Sequence, residues 1–454
     1  MRRLLTLLLL LLGTATALPA AAQSGPTAAF PYTLNTEKLP NGLTVVRVPY
    51  PSQGIIAYVT VVRVGSRNEV EPGKTGFAHF FEHMMFKGTK NNPEGSREKV
   101  MGTFGFDDNA FTTDDVTVYY SYGPTAGLPK LIELEADRFR NLEYSEPAFQ
   151  TEALAVLGEY HKNAAAPFLK MEEELNAAAF QRHTYRHTTL GFYEDIKAMP
   201  QAYQYSREFF QRWYTPDNTM LFIVGDFDDA KVMQLVRENY GPWNRKVAQV
   251  TVPTEPPQTG PRTAHIDWPQ PTQPRQILAW RTPAASVTTM DAAIQTVLVD
   301  YLTGPTSPAY KSLVLDKQLV EEIGSDYSVH RDPNLFTLTA TLKNEKDRDT
   351  VRLALLKEVS NLAAGKLDAA RVKAIQDHER YGTLMSLQTP RDVGVRLAMY
   401  GGILGTPDGL QLHLQNLTKV KPAQLQEFAK KYLTANRIIL LSLTPKVAGA
   451  GGTK

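Results

Sequence analysis

The spacing of apolar and polar residues changes along the chain between the short period of strands and the longer period of helices. Apolar runs predict strands at LTVVRVPY, GIIAYVTVVRVG and TVYYSYGP, and later at RQILAWRT and LFTLTATL. Helical spacing predicts helices at AGLPKLIELEADRFRNL, PAFQTEALAVLGEYHKNA, QAYQYSREFFQRWY and TTMDAAIQTVLVDYLTG. Because strands and helices are mixed without a regular alternation, we predict an α+β fold rather than a doubly wound parallel sheet.

A proline-rich segment divides this pattern into two parts. Residues 251–275 contain seven prolines and have no sustained helical or strand periodicity. We therefore predict a linker at 251–275, with one domain at 23–250 and a second at 276–454. The spacing Phe-x3-Tyr-x3-Asn begins at Phe210 and again at Phe428, and each copy precedes an apolar run. Three matching positions can arise by chance, so this repeat alone leaves open whether the two parts are related.

The first residues have the pattern of a secretory signal peptide. Arg2 and Arg3 precede an apolar run at 4–12, and small residues follow up to Ala22. We predict that residues 1–22 are removed after Ala22 and that the mature protein is periplasmic or secreted. The apolar run is shorter than the roughly 20 residues that span a bilayer, so we expect no membrane anchor in the mature form.

Composition narrows the possible partners and ligands of this chain of 454 residues. Lysine and arginine number 49, and aspartate and glutamate number 47, so removal of the leader arginines balances the charges. A neutral chain has no net attraction to nucleic acid or to anionic lipid, and we expect neither as a partner. There is no cysteine. A metal would therefore be held by histidine and carboxylate side chains.

The segment GFAHFFEHMMFKGT carries the clearest candidate chemistry. His79 and His83 are four residues apart, so on a helix both imidazoles lie on one face and can bind one ion. Glu82 lies beside them and can act on a water molecule without becoming a ligand. This H-x-x-E-H order is the inverse of the commoner H-E-x-x-H zinc signature.

A hydrolytic zinc site needs a third protein ligand, and the helix predicted at TEALAVLGEYHKN offers candidates. Glu152 and Glu159 are seven residues apart and share one helix face. One of them can bind the metal while the other orients a ligand. Taken alone, the pair also fits two solvated helix charges. His161 could compete as a ligand, but it lies on a different face from Glu159.

Together, GFAHFFEHMMFKGT and the two later glutamates resemble the pitrilysin-type inverzincin family of zinc metallopeptidases, which includes mitochondrial processing peptidase and insulin-degrading enzyme. The resemblance implies one zinc ion per chain, held by His79, His83 and Glu159. It implies that Glu82 activates water and that Glu152 supports catalysis. We accordingly expect a zinc-dependent endopeptidase.

The resemblance extends beyond the metal motif. DDNAFTTDDVTVYY is similar to the family's edge strand beside the zinc, which implies that Asn109, Ala110 and Thr112 contact an extended peptide. HTYRHTTLG is similar to a further family loop. The family implies two structurally related domains, each an antiparallel sheet covered by helices. It also implies that four such domains enclose a chamber that admits unfolded peptides.

A departure from the family bears on partners. The subunit that completes such a site usually carries an Arg and a Tyr seven residues apart, which stabilise the developing oxyanion. The matching segment LVLDKQLVEEI has Val314 and Glu321 at those positions. A shifted match that uses Tyr327 leaves Val320 in place of the Arg. We therefore expect a heterodimer in which this chain is the zinc-bearing subunit of a bacterial short-chain member, with a homologous subunit supplying the Arg/Tyr pair.

A noncatalytic alternative is also open. Some proteins of this fold act as binding or scaffold members of larger complexes, and such members tend to lose the metal motif. Here all five motif positions are intact, and this favours the enzyme over the scaffold.

Overall fold

The structure is a computed structural model, and it describes residues 30–446. The predicted signal peptide therefore lies outside the described residues. Within them, no helix combines the length and the apolar character needed to cross a membrane.

The first half of the chain forms a six-stranded sheet. Its strand order is β1-β2-β6-β3-β5-β4, so β1 and β4 are the edges. The strands are β1 Asn35–Lys38, β2 Thr44–Pro49, β3 Ile55–Val62, β4 Asp107–Thr112, β5 Thr117–Pro124 and β6 Thr219–Gly225. The helices of this half are α1 Phe77–Met84, α2 Ser96–Phe104, α3 Leu128–Asn141, α4 Glu146–Ala164, α5 Pro167–Ala179, α6 Tyr193–Ala198, α7 Tyr203–Trp213 and α8 Asp229–Tyr240.

The second half forms a five-stranded sheet with the order β7-β11-β8-β10-β9. Its strands are β7 Arg262–Trp268, β8 Arg275–Thr282, β9 Val320–Tyr327, β10 Asn334–Leu342 and β11 Ile439–Pro445. Its helices are α9 Asp291–Thr303, α10 Pro308–Tyr310, α11 Arg348–Ala363, α12 Ala369–Met385, α13 Pro390–Leu404, α14 Gly409–Leu417 and α15 Pro422–Tyr432. A π-helical turn, Lys311–Asp316, follows α10.

The two sheets have the same topology. Strands β2, β6, β3, β5 and β4 of the first sheet occupy the same order as β7, β11, β8, β10 and β9 of the second. Phe210 lies in α7 before β6, and Phe428 lies in α15 before β11, so the short sequence repeat marks equivalent places. The predicted α+β fold of two related domains is confirmed. Each sheet also contains one parallel pair, β2 with β6 and β7 with β11, among otherwise antiparallel strands.

The predicted linker contains a strand that the sequence pattern did not indicate. Residues 262–268 form β7, which pairs in parallel with β11 at the edge of the second sheet. Prolines 261 and 269 flank the strand, where a missing N–H removes no bond from the middle of a ladder. Residues 251–261 form neither helix nor strand. The domain boundaries themselves stay a prediction.

Each sheet is covered on one face by a helix from the other half. Helix α13, from the second half, packs on β3 and β6 of the first sheet. Helix α5, from the first half, packs on β7 and β11 of the second sheet. The exchange buries β3 and β6 on both faces, which explains why their sequences are nearly continuous apolar runs.

Glycines allow α13 to approach the first sheet closely. A Cβ atom added at Gly402 would lie 2.6 Å from a methyl carbon of Val61 and 2.9 Å from one of Val116. A Cβ added at Gly394 would lie 2.9 Å from Val59. These distances are shorter than van der Waals contact, so the backbone of α13 rests against the valine side chains of the sheet.

Charged residues join the two halves beside strand β4. His330 and Arg331 lie in the loop between β9 and β10. The His330 ring contacts the Asp114 carboxylate at 3.1 Å, and the Arg331 backbone N–H donates to Asp115 at 3.0 Å. Burial disfavours the protonated form of His330 and would lower its pKa. The hydrogen bond and the charge of Asp114 outweigh this effect and raise the pKa of His330 to about 9. The second half thus holds the turn that follows β4.

We predict that Gly402→Ala lowers the free energy of unfolding by about 1–3 kcal/mol, because the added methyl group overpacks the sheet. Gly382→Ala in α12 is the matched control, since nothing lies within 4 Å of a Cβ atom there. That control should be neutral or stabilise by up to about 1 kcal/mol. Thermal and denaturant unfolding of both variants measures the difference. Equal stability of the two variants would contradict the close packing.

Candidate metal centre

Helix α1 is fixed at its start by a buried carboxylate. Gly76, which precedes the helix, has a φ of 89°, and Glu69 accepts hydrogen bonds from the backbone N–H groups of Gly76 at 2.8 Å and Ala78 at 2.6 Å. Burial raises the pKa of Glu69 to about 8. Phe77, Phe80, Phe81 and Met84 of α1 lie in the core. The opposite face of the helix carries the two histidines.

Helices α1 and α4 bring the predicted ligands together. The rings of His79 and His83 have centroids 4.8 Å apart. The Glu159 carboxylate oxygen Oε2 lies 3.5 Å from Nε2 of His79 and 3.6 Å from Nε2 of His83. One ligand atom from each of the three residues lies within 4.8 Å of the others.

Glu152 lies behind the ligands and holds one of them. Its Oε1 contacts Nδ1 of His83 at 2.8 Å, and its Oε2 contacts Nζ of Lys87 at 2.8 Å. The hydrogen bond from His83 lowers the pKa of Glu152 to about 2, and the same bond raises the pKa of His83. Glu152 therefore orients His83 and strengthens its basicity as a ligand. Lys87 is a site residue that the sequence analysis did not single out, although it lies within GFAHFFEHMMFKGT, four residues after His83.

The donor set fits a zinc ion. His83 donates from Nδ1 to Glu152, since a carboxylate only accepts, and in the neutral form of His83 the Nε2 atom keeps a lone pair on the side of Glu159. Burial, with a smaller effect of His83, lowers the pKa of His79 to about 4, which keeps that imidazole neutral. The Nε2 atoms of His79 and His83 lie 3.5 and 3.6 Å from the Glu159 oxygen, which is too long for a normal hydrogen bond. Their convergence in one place suits a cation, and two His with one Glu is a known hydrolytic zinc set.

Glu82 lies beside this group and is held by the edge strand. The Thr112 hydroxyl donates to Oε2 of Glu82 at 2.7 Å. Burial raises the pKa of Glu82, and the Thr112 hydrogen bond partly opposes the rise. A carboxylate with a raised pKa is suited to proton transfer near neutral pH. The sequence analysis predicted that Thr112 contacts substrate, and the structure places its side chain on Glu82.

A cavity of 530 Å³ lies over these residues. It opens between α1, β4, α4, the start of α5 and the HTTLG loop, and we call it the metal cavity. Its wall includes Phe168, which is 59% exposed, and Glu172, which sequence reasoning did not single out. Further lining residues are His79, Glu82, Phe111, Thr112, Glu159, Lys162, Asn163, Ala166, Leu169, Thr188, Thr189 and Leu190.

Within residues 30–446, strand β4 pairs with β5 alone, and no other described strand covers its second edge. The side chains of Ala110 and Thr112 face α1, and Phe111 faces the other side of the sheet against Tyr120. The backbone N–H of Ala110 donates to the side-chain oxygen of Asn109 at 2.8 Å. The predicted residues Asn109, Ala110 and Thr112 thus lie along one edge strand that ends beside the candidate metal centre.

The second half has no copy of this site. Helix α9 follows β8 as α1 follows β3, but its sequence DAAIQTVLVDYLT contains neither histidine nor glutamate. No other group of three metal-ligating side chains occurs within residues 30–446. Val314, Glu321 and Tyr327 do not line the metal cavity. The described residues therefore provide one candidate metal site and do not place an Arg/Tyr pair beside it.

Comparison with known protein families also separates the part of the chain that carries the candidate site from a later part. Residues 48–191 match the profile described as Insulinase (Peptidase family M16). Residues 202–378 match the profile described as Peptidase M16 inactive domain. Both profiles describe one family, and the site residues of α1 and α4 fall within the first.

The chain belongs to the M16 family of pitrilysin-type peptidases.

Relatives of this M16 chain include zinc proteases. It is 26% identical to zinc protease PqqE of Helicobacter pylori over 90% of this chain and 92% of that protein. It superimposes on a crystal structure of a protease from Helicobacter pylori with a TM-score of 0.84 and 27% identity, over 91% of this chain and all of that one. Family membership supports a peptidase role.

A longer protein shares the fold. The periplasmic protease PqqL of Escherichia coli superimposes with a TM-score of 0.75 at 19% identity. The match covers 92% of this chain and 48% of PqqL, so this chain spans about half of that protein.

We predict that Glu152→Gln weakens zinc binding by about 10–100-fold, because the amide no longer provides the carboxylate that orients His83. Competition with a chromogenic chelator measures the affinity. Glu146→Gln is the control, since Glu146 is exposed at the start of the same helix and should leave the affinity unchanged. A Glu152→Gln protein that binds zinc as tightly as the control would remove Glu152 from this role.

Proposed function

We propose that this M16 chain is a zinc-dependent endopeptidase that hydrolyses unfolded peptides. The observation that carries the proposal is the position of Glu82, which lines one open cavity with His79 and Glu159. His83 completes the three-residue group of possible metal ligands beside it. A base next to a three-ligand metal site beside an open strand edge is the arrangement that peptide hydrolysis requires.

We propose these roles for the side chains of the site. His79, His83 and Glu159 would hold zinc, which when bound supplies Lewis-acid polarisation of a carbonyl and activation of water. Glu82 takes a proton from the attacking water and returns it to the leaving amine. Thr112 holds the Glu82 carboxylate in position for both transfers.

The open edge of β4 suggests how a substrate binds. An extended peptide can add to this edge through backbone hydrogen bonds, which do not depend on the identity of the peptide's side chains. Asn109 and Ala110 lie on the strand that such a peptide would meet. A folded protein has few free strands to offer, so unfolded peptides are the proposed substrate class.

The site also needs donors that this chain does not place beside it. The described residues provide no arginine and tyrosine pair in the metal cavity. The likeness to half of PqqL is compatible with a second polypeptide that supplies the other half. We propose a heterodimer with a homologous subunit that carries the Arg/Tyr pair and closes a chamber over the site.

The proposed location is the periplasm or the cell exterior. The reason is the signal-peptide pattern of residues 1–22, and the balanced charge offers no competing attraction to nucleic acid.

We predict that Glu82→Gln retains zinc and lowers peptide hydrolysis by about 10²–10⁴-fold, because glutamine cannot accept the proton. Elemental analysis measures the metal, and a quenched fluorescent peptide measures turnover with and without chelator. Glu133→Gln is the matched control, since Glu133 is exposed on α3. Undiminished turnover by Glu82→Gln would exclude Glu82 as the base.

We predict that the isolated chain has little activity and that a homologous subunit with the Arg/Tyr pair raises it by about 10²–10³-fold, the usual effect of an oxyanion donor. Size-exclusion chromatography shows whether the two chains associate. Activity is then measured for each chain and for the mixture. Full activity of the isolated chain would refute the heterodimer.

A further inference from the structure

A second cavity, of 610 Å³, lies on the face of the first sheet opposite the metal centre. Helix α13 packs along β3, β6 and β5 on this face. The cavity lies between α13, the end of β4 and the end of β9. Its apolar wall includes Phe111, Tyr120, Tyr327, Val395, Met399 and Tyr400.

The chemistry of this second cavity is apolar with a basic rim. The hydroxyl of Tyr327 is buried and has no hydrogen-bond partner among residues 30–446. Arg391 lies over the Tyr122 ring at 5.1 Å, and Arg396 is exposed beside it on α13. An aromatic or long aliphatic group suits such a wall. Asp392 also lines the cavity, 3.6 Å from Arg391, so the rim carries two positive charges and one negative charge. The remaining positive charge disfavours a lysine or arginine side chain.

Strand β4 connects the two cavities. Phe111 lines both cavities. Its ring lies against Tyr120 on the side of the second cavity, whereas the side chain of its neighbour Thr112 contacts Glu82 on the side of the metal cavity. Side chains of a strand point alternately to the two faces of a sheet, so the faces of β4 lead to different sites.

A peptide added to the edge of β4 would continue this alternation. It would lie about 4.8 Å beyond β4, with its side chains perpendicular to the sheet. If one residue presents its side chain toward the metal face, its immediate neighbours present theirs toward the face of α13. Those neighbours lie next to Phe111, at the boundary of the second cavity.

We propose that the second cavity is a side-chain pocket for peptides bound along β4. It takes an aromatic or long aliphatic side chain on the sheet face opposite the metal centre and rejects basic ones. This inference rests on the proposed function, because it requires a peptide on the edge of β4. It adds a selectivity that the metal cavity alone does not provide.

The test uses one parent peptide whose cleavage site is first mapped by mass spectrometry. Each residue near that site is then changed in turn to Phe, Ala or Lys, and kcat/KM is measured with the complete enzyme. At one position we expect Phe to exceed Ala by about tenfold or more, and Lys to fall below Ala. Val395→Phe, which fills the pocket, should reduce the ratio of Phe to Ala to near one.

Two further variants keep the test independent of a folding defect. Met399→Ala enlarges the pocket and should shift the preference from Phe to Trp at the same position. Leu353→Phe adds the same aromatic group on α11, where Leu353 is 63% exposed, and should keep the wild-type ratio. Equal kcat/KM values for Phe, Ala and Lys at every position would overturn the proposed pocket. Because the peptides would still be hydrolysed, that result would leave the proposed peptidase function unaffected.

Peptide binding to the Glu82→Gln protein separates the pocket from the chemistry. If the complete enzyme hydrolyses nothing, but Val395→Phe still weakens binding of the Phe peptide in the Glu82→Gln background, the pocket stands and the peptidase function fails. If neither hydrolysis nor selective binding occurs, both fail. Fluorescence anisotropy of labelled peptides measures this binding.

Discussion

Each sheet of this protein is completed by a helix from the other half of the chain, and the rest of the structure depends on that exchange. Helix α13 covers the first sheet, and α5 covers the second. Helix α4, which carries Glu152 and Glu159, runs almost directly into α5. Among the described residues, the second half contributes none of the three possible ligands, but its sheet packs against the helix that follows the one carrying Glu159. Direct packing of α4 on α1 brings Glu159 to the two histidines.

The metal centre is held by contacts that lie outside the ligand set. Lys87 fixes Glu152, and Glu152 fixes His83. Each link is an ionic hydrogen bond in a partly buried place, where water competes weakly and the geometry is rigid. Thr112 fixes Glu82 from the opposite side. These contacts restrict the positions of both the candidate ligands and the candidate base.

The two halves share a topology but differ in what the helix after the equivalent strand carries. In the first half, the helix after the third strand carries histidines and a glutamate. In the second half, the equivalent helix α9 carries apolar residues and packs into the core. The second half has no equivalent group of ligands among its described residues. It supplies α13 and the end of β9, which form part of the wall of the second cavity.

The sequence by itself determined the local part of this protein. His79, His83 and Glu82 share a helical turn, and Glu152 and Glu159 share a helix face, because those relations follow from helical period alone. The α+β class followed from the order of the apolar runs. Tertiary structure decided the rest. It placed Lys87 on Glu152 and Thr112 on Glu82. It also formed β7 within the predicted linker and packed α5 and α13 each on the sheet of the other half. These contacts join residues that are distant in sequence or depend on pairing with another strand, and local periodicity carries no information about such partners.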